Sequence, residues 1–184
     1  MDVLCSVDVA AVRAEPNVDA ERVTELLRGE PVAVEQRREG WARIRTVYDY
    51  PGWVREEEIG GIDGDAVEQA RRYLGTPYLW GGMTERGIDC SGLVHMSYRW
   101  LGRLVPRDAD QQEGAGTAVA EGDLRPGDLI TYADEGRPDT ATHIAFWLGE
   151  GRILHSTERD GVNGVVEEVE PSQLRALRRR LIRL

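Results

Sequence analysis

The feature that most constrains this chain is a change of hydrophobic period near residue 60. Upstream, apolar residues alternate with polar ones. Downstream they recur first at helical spacing and later alternate again. Val7-Asp8-Val9, Ala11-Val12-Arg13, Val23 to Leu27, Pro31 to Gln36, Trp41 to Val47 and Gly52-Trp53-Val54 read as short strands. They are separated by turn residues around Glu15-Pro16-Asn17 and Arg28-Gly29-Glu30. Five or so strands within sixty residues predict a small β-barrel over 1–60. Gly60-Gly61-Ile62-Asp63-Gly64 supplies a flexible, polar boundary.

The second part, 64–184, begins with a helix predicted over Asp65 to Leu74, with Ala66, Val67, Ala70 and Leu74 on one face and Gly75 ending it. A Gly-rich loop from Thr76 to Asp89 leads to a second helix, Cys90 to Leu101. Its inner stripe is Leu93, Val94, Ser97 and Leu101, Asp89 is its N-cap, and Gly102 stops it. Strands follow at Asp128 to Tyr132, His143 to Leu148, Arg152 to Ser156 and Val165 to Val169. A short helix after Pro171 and a strand around Leu181 close the chain. Helices first and an antiparallel sheet afterwards is an α+β order.

Composition removes several classes of function. The net charge of -10 over 184 residues argues against a nucleic-acid partner, since phosphate binding needs a basic surface. Arg178-Arg179-Arg180 is the one basic run, and in so acidic a chain it reads as a solvated strand edge. No apolar stretch is long enough to span a bilayer, and the start at Met1-Asp2-Val3 lacks the form of a secretory signal. The expectation is a cytoplasmic protein, secreted or wall-associated only if a leader has been removed. Its two cysteines, Cys5 and Cys90, are then free thiols. Oligomeric state is not legible.

Cys90 stands at the first turn of a helix, where partial positive charge and unpaired N–H groups stabilise a thiolate. The N–H groups of Cys90 and Ser91 are also placed to bind an oxyanion. The competing reading is a small buried hydrophobe. Of the three histidines, His143 and His155 flank a turn at Gly149-Glu150-Gly151 that folds one strand onto the next, making the imidazoles cross-strand neighbours. This suits a base at His143 oriented by His155. Strand histidines that face solvent or are satisfied in a core, or a metal site of Cys90, His143 and His155, are the alternatives. A metal is disfavoured because no further ligand sits at a suitable spacing. His95, about 500° around the helix from Cys90, reads as a helix-side residue.

The segment from Thr76 to Val94, with its Pro-Tyr-Leu-Trp-Gly-Gly and Asp-Cys-Ser-Gly runs, resembles the active-site region of NlpC-type cell-wall peptidases. Leu124-Arg-Pro-Gly-Asp-Leu129 and the His143/His155 hairpin resemble that family's later motifs in order and spacing. The resemblance covers 64–184. It implies a papain-like cysteine peptidase acting on peptidoglycan-derived peptides, with Cys90 as nucleophile, His143 as base, His155 third, Tyr78 an oxyanion donor, and no cofactor. Trp80 joins the substrate-binding set. Val12-Arg13-Ala14, Leu26 to Val32 and Gly52-Trp53-Val54 resemble a bacterial SH3-type domain.

An aspartate at position 108 resembles the recycling branch, whose γ-D-glutamyl-L-diamino acid peptidases take peptides with a free N-terminal L-Ala. A carboxylate in a desolvated cleft binds an ammonium and is left unpaired by an acylated stem. Ser91 adds a hydrogen bond there, and Tyr50 and Glu25 resemble residues that cap the cleft. The plainer reading of Asp108 is a loop acid or a partner for Arg107. A wall endopeptidase on intact peptidoglycan is the main alternative function. A non-catalytic wall-binding module and an acyl transferase are the others.

Overall fold

The computed structural model describes residues 3–62, 64–159 and 161–184. The Met1-Asp2 start and Asp63 of the expected boundary lie outside the described residues. The chain divides into two compact units, one of 3–62 with Trp100–Arg103, the other of Gly64–Arg99 with Leu104–Leu184.

The first unit holds β1 (Val3–Cys5), β2 (Val9–Arg13), β3 (Arg22–Leu27), β4 (Pro31–Arg38), β5 (Trp41–Thr46), β6 (Pro51–Arg55) and β7 (Ile59–Gly60). They form one sheet in the order β3-β2-β6-β5-β4-β1-β7. The sheet curls on itself: β1 lies near one end of that order and β3 at the other, yet the Cys5 thiol donates to the Leu26 carbonyl at 3.7 Å. One apolar cluster, with Cys5, Val12, Leu26, Ile44, Val54 and Ile59 buried, fills the interior. This is the expected barrel with two more strands than the periodicity revealed. β1 and β7 are too short to show alternation, and Gly60, read as boundary, pairs with Leu4.

The second unit contains α1 (Ala66–Arg71), the short strands β8 (Met83–Thr84) and β9 (Gly87–Ile88), α2 (Cys90–Arg99) and α3 (Ala109–Ala115). Then come β10 (Thr117–Ala118), β11 (Leu129–Tyr132), β12 (His143–Gly149), β13 (Arg152–Arg159), β14 (Val162–Val169), α4 (Ser172–Arg175) and β15 (Arg178–Arg183). Six of these strands make an antiparallel sheet in the order β10-β15-β11-β12-β13-β14. β11 is buried at all four residues, as a central strand covered on both faces must be. On one face Ile130, Tyr132, Ala145 and Ile153 cluster under Leu174, Leu177 and Leu181. On the other, Tyr98 of α2 meets Phe146 with ring centroids 6.4 Å apart.

Three expectations need correction. Helix α1 stops at Arg71: Ala66, Val67 and Ala70 are buried as the predicted stripe requires, but the chain then turns so that Tyr73 is buried and Leu74 exposed. Helix α3 was not foreseen, because ADQQEGA carries no apolar period. The Arg178–Arg180 run is a solvated edge only in part: β10 pairs with β15 at Ile182 and Arg183 alone and Arg180 is exposed, but Arg178 pairs with Glu170 at 2.6 Å and Arg179 with Glu113 at 2.9 Å. Both acids are buried, so each arginine offsets a desolvated carboxylate.

Candidate active site

Helix α2 begins where the sequence predicts, because Asp89 caps it. One carboxylate oxygen of Asp89 accepts from the Gly92 N–H at 2.7 Å, and its backbone carbonyl accepts from Leu93 at 2.9 Å. The other oxygen accepts from the Gly81 N–H at 2.7 Å, which ties the Gly-rich loop to the helix start. Arg107 grips the same carboxylate through two nitrogens, at 2.7 and 3.0 Å, and donates to Ser91 Oγ at 2.9 Å. The loop approaches so closely that a Cβ on Gly92 would lie 2.4 Å from the Gly82 carbonyl oxygen, so glycine is required there.

With Asp89 taking the Gly92 and Leu93 N–H groups, the first N–H groups of α2 are left for the thiol. Burial pushes Cys90 up to about 11 and the Asp89 charge adds to this, while the N–H groups of Ile144, Ser91 and Cys90 itself pull it down. The Ile144 contact puts the sulfur beside the start of β12, where His143 stands. His143 Nε2 lies 2.7 Å from His155 Nδ1, and His155 Nε2 lies 2.8 Å from Glu168 Oε1.

Register explains this file of side chains. On β12 and β13, Phe146 faces Leu154; continuing the register sets Ala145 against His155, with His143 two residues away on the diagonal. On β13 and β14, Ile153 faces Glu168 and His155 faces Val166, so Glu168 is again the diagonal neighbour. Both oxygens of Glu168 accept from Arg159, one at 2.7 Å.

Burial, then the nearby charges of His155 and Arg159, pushes the half-buried His143 down to about 3. His155 is also lowered by burial, against the raising effect of Glu168. Both shifts favour the neutral forms, thiol and imidazole.

Tyr78 is held by Asn163, whose side-chain oxygen accepts its N–H at 2.9 Å. Its phenol is pushed up to about 12 by burial and then by the charges of Cys90 and Asp89, so it stays a donor. Ser156, next to His155, donates to the Ile88 carbonyl at 2.6 Å and ties β13 to the loop that carries Cys90.

A cleft of about 670 Å³ brings Tyr78, Trp80, Cys90, Ser91, Asp108 and His143 together. This lies within the usual range of ligand sites, about 300–1,000 Å³. Asp108 is exposed there and makes no side-chain cap bond to α3, although it occupies the N-cap position. Arg107 spends its hydrogen bonds on Asp89, Ser91 and Gly82, yet the charge of Asp108 acts on it, and an exposed Asp108 also fits the plainer reading of a loop acid. Trp80 is 80% exposed at the cleft wall. Ser91 is buried, with its oxygen already accepting from Arg107.

Tyr50 and Glu25 belong to the first unit. There Tyr50 follows the turn before β6, and Glu25 on β3 pairs with Arg22 at 2.6 Å. His95 is a helix-side residue, its Nδ1 2.8 Å from the Val105 carbonyl. Sequence reasoning missed Glu168 and Arg159, and also the pairing of Asp89 with Arg107. The available signal for Glu168 was the alternation of β14, which places Val166 and Glu168 on the face of β14 that pairs with His155.

Comparison with known proteins agrees with this architecture. The NlpC/P60 family model matches residues 75–180, and the bacterial dipeptidyl-peptidase Sh3 domain model matches 12–59. The γ-D-glutamyl-L-lysine dipeptidyl-peptidase of Bacillus subtilis is 32% identical over 126 residues, 65% of this chain and 42% of that protein. A bifunctional muramidase/DL-endopeptidase of the same organism is 37% identical over 93 residues, 50% of this chain and 28% of that protein. The matched part is thus less than half the length of these relatives. A crystal structure of an NlpC/P60 family protein from Bacillus cereus superposes with a TM-score of 0.65 at 22% identity, over 99% of this chain and 62% of that one. This last likeness is one of fold, and it accords with the expected α+β catalytic domain preceded by an SH3-type barrel.

Proposed function

Since this chain belongs to the NlpC/P60 family, we propose that it is a cysteine peptidase cutting the bond between γ-D-glutamate and an L-diamino acid in peptidoglycan-derived peptides with a free N-terminal L-Ala. The observation that carries the reading is the placement of Cys90 and His143 in one cleft, with His155 holding the far nitrogen of His143 at 2.7 Å.

The chemistry follows from which nitrogen is taken. His155 occupies Nε2 of His143, leaving Nδ1 to receive the thiol proton. The sulfur then attacks the γ-carbonyl carbon, and the oxyanion is met by the N–H groups of Cys90 and Ser91 and by the Tyr78 hydroxyl. His143 passes its proton to the leaving amine as the C–N bond breaks. A water, deprotonated by the same nitrogen, hydrolyses the thioester. The steps use side chains and backbone N–H groups of this chain and one water.

Asp108 supports the narrower substrate class. Its carboxylate is exposed at the cleft, and Arg107 feels its charge but gives its hydrogen bonds to Asp89, Ser91 and Gly82, so Asp108 can take up a substrate ammonium. Trp80 offers an apolar face to the bound peptide. The test compares L-Ala-γ-D-Glu-diaminopimelate with its N-acetylated form. The free amine is expected to be cleaved with at least about tenfold higher kcat/KM, since losing a charged partner costs on the order of 1.5–3 kcal/mol. Equal cleavage of both would overturn the free-amine preference while leaving the peptidase reading intact. It would favour the second reading, a wall endopeptidase, which the similarity to a DL-endopeptidase supports.

A further inference from the structure

The proposed reaction needs one defined arrangement of protons in the histidine pair. If His143 Nδ1 is to accept the thiol proton, Nε2 must carry hydrogen and donate it to His155. His155 Nδ1 must then be bare and its Nε2 protonated. A 2.7 Å contact between two ring nitrogens does not choose between this arrangement and its reverse. The choice falls to whatever faces His155 Nε2, and that is the Glu168 carboxylate at 2.8 Å, a group that only accepts.

We propose that Glu168, pinned by Arg159, is a positioning residue that sets the tautomers of His155 and His143 and stabilises the imidazolium formed when Cys90 is deprotonated. The assignment rests on the peptidase reading above. Its geometry is a relay across three adjacent strands: His143 on β12, His155 on β13, Glu168 on β14. His155 is 1% exposed, so its Nε2 is turned away from bulk solvent and bonded to the carboxylate. Arg159 meets both oxygens of Glu168, which fixes the carboxylate plane and keeps it ionised.

Among the described residues, the other charged or titratable groups that make contacts about the relay are few. Tyr132 stacks near His143, with ring centroids 5.6 Å apart, and its hydroxyl donates to Glu170, which is paired with Arg178. Glu167, on the opposite side of β14, is taken by Arg71 and Arg152. Glu168 is thus the carboxylate bonded to the pair, and Arg159 the cation acting on it.

Glu168→Gln keeps the size but allows the side chain to donate as well as accept. On the peptide substrate, kcat is expected to fall on the order of 10–100-fold with KM within about twofold, by analogy with partners that orient a catalytic histidine elsewhere. The acid limb of kcat/KM should move to lower pH, because the carboxylate no longer favours the protonated pair. Arg159→Gln should move that limb the other way, since the guanidinium opposes protonation. Nitrogen NMR on the chain's three histidines should show His155 as a single Nε2–H tautomer in the parent and as a mixture in Glu168→Gln. This readout needs no activity.

An active parent whose Glu168→Gln variant keeps kcat and its acid limb overturns the assignment, as does lost activity with an unmoved limb and an unchanged tautomer. A parent inactive on the peptide overturns the peptidase reading instead. If Glu168→Gln does not fold, the direction of the Arg159→Gln limb decides.

Discussion

At the scale of single residues, the chemistry turns on what burial does to Cys90 and His143. A thiol pushed up to about 11 and an imidazole pushed down to about 3 rest as a neutral pair, so deprotonation waits for a substrate. Alkylation of the free enzyme by iodoacetamide should therefore rise with pH beyond the ordinary cysteine range near about 8.5, with no plateau at acidic pH. A plateau between about pH 5 and 7 would show a resting thiolate–imidazolium pair and sink this reading. Cys5 does not confuse the measurement: it is fully buried in the barrel core, and burial raises its thiol too. The Cys90→Ala variant gives the blank.

At the scale of elements, the start of α2 is held by a single carboxylate. Asp89 caps the helix, anchors Gly81 and receives Arg107, and its charge also raises the Cys90 thiol. Two consequences of opposite sign follow for Asp89→Asn. Stability should fall by roughly 2–4 kcal/mol in denaturant unfolding, because a partly buried guanidinium loses its partner and the cap weakens. The alkylation profile of Cys90 should meanwhile shift to lower pH. A variant with parental stability would mean that the Arg107 pair and the cap contribute nothing net. The cap was legible in the sequence, as an Asp one residue before a helical run. Its pairing with Arg107 was not, since 18 residues separate the two and only the fold of the intervening chain brings them within 2.7 Å.

At the scale of the whole molecule, several groups titrate so that acid weakens the fold. His155 is buried and His143 half-buried, and burial lowers both, so their folded pKa values lie below the unfolded imidazole value of about 6.5. Their contribution is complete above that pH and is lost as pH falls. Glu168 and Asp128 act in the same direction at lower pH. Burial raises each, but Glu168 is brought below the ordinary carboxylate range by Arg159 and His155, and Asp128 by Arg183 and the Arg125 N–H. Tm should thus decline from about pH 6.5 downward and more steeply below about pH 4. His143→Asn should flatten the first part of that decline. A parental Tm constant between about pH 6.5 and 4.5 would show that the histidines are not buried neutral.

The α+β order, the position of Cys90 at a capped helix start and the neighbouring of two histidines were legible in the sequence, because each depends on short-range pattern: period, cap chemistry and a Gly-Glu-Gly turn. It also carried the family resemblance, through motifs contiguous in the chain. The tertiary structure decided what depends on sheet register and loop closure. It set His155 on the diagonal from His143 and not directly across, and it brought Glu168 to the far nitrogen of His155. It also brought Arg107 to Asp89 and placed the exposed Asp108 at the same cleft. The reason is physical. A register shift of one residue would turn each side chain of a strand to the opposite face, and that register is set by packing across the sheet, to which no local stretch of sequence has access.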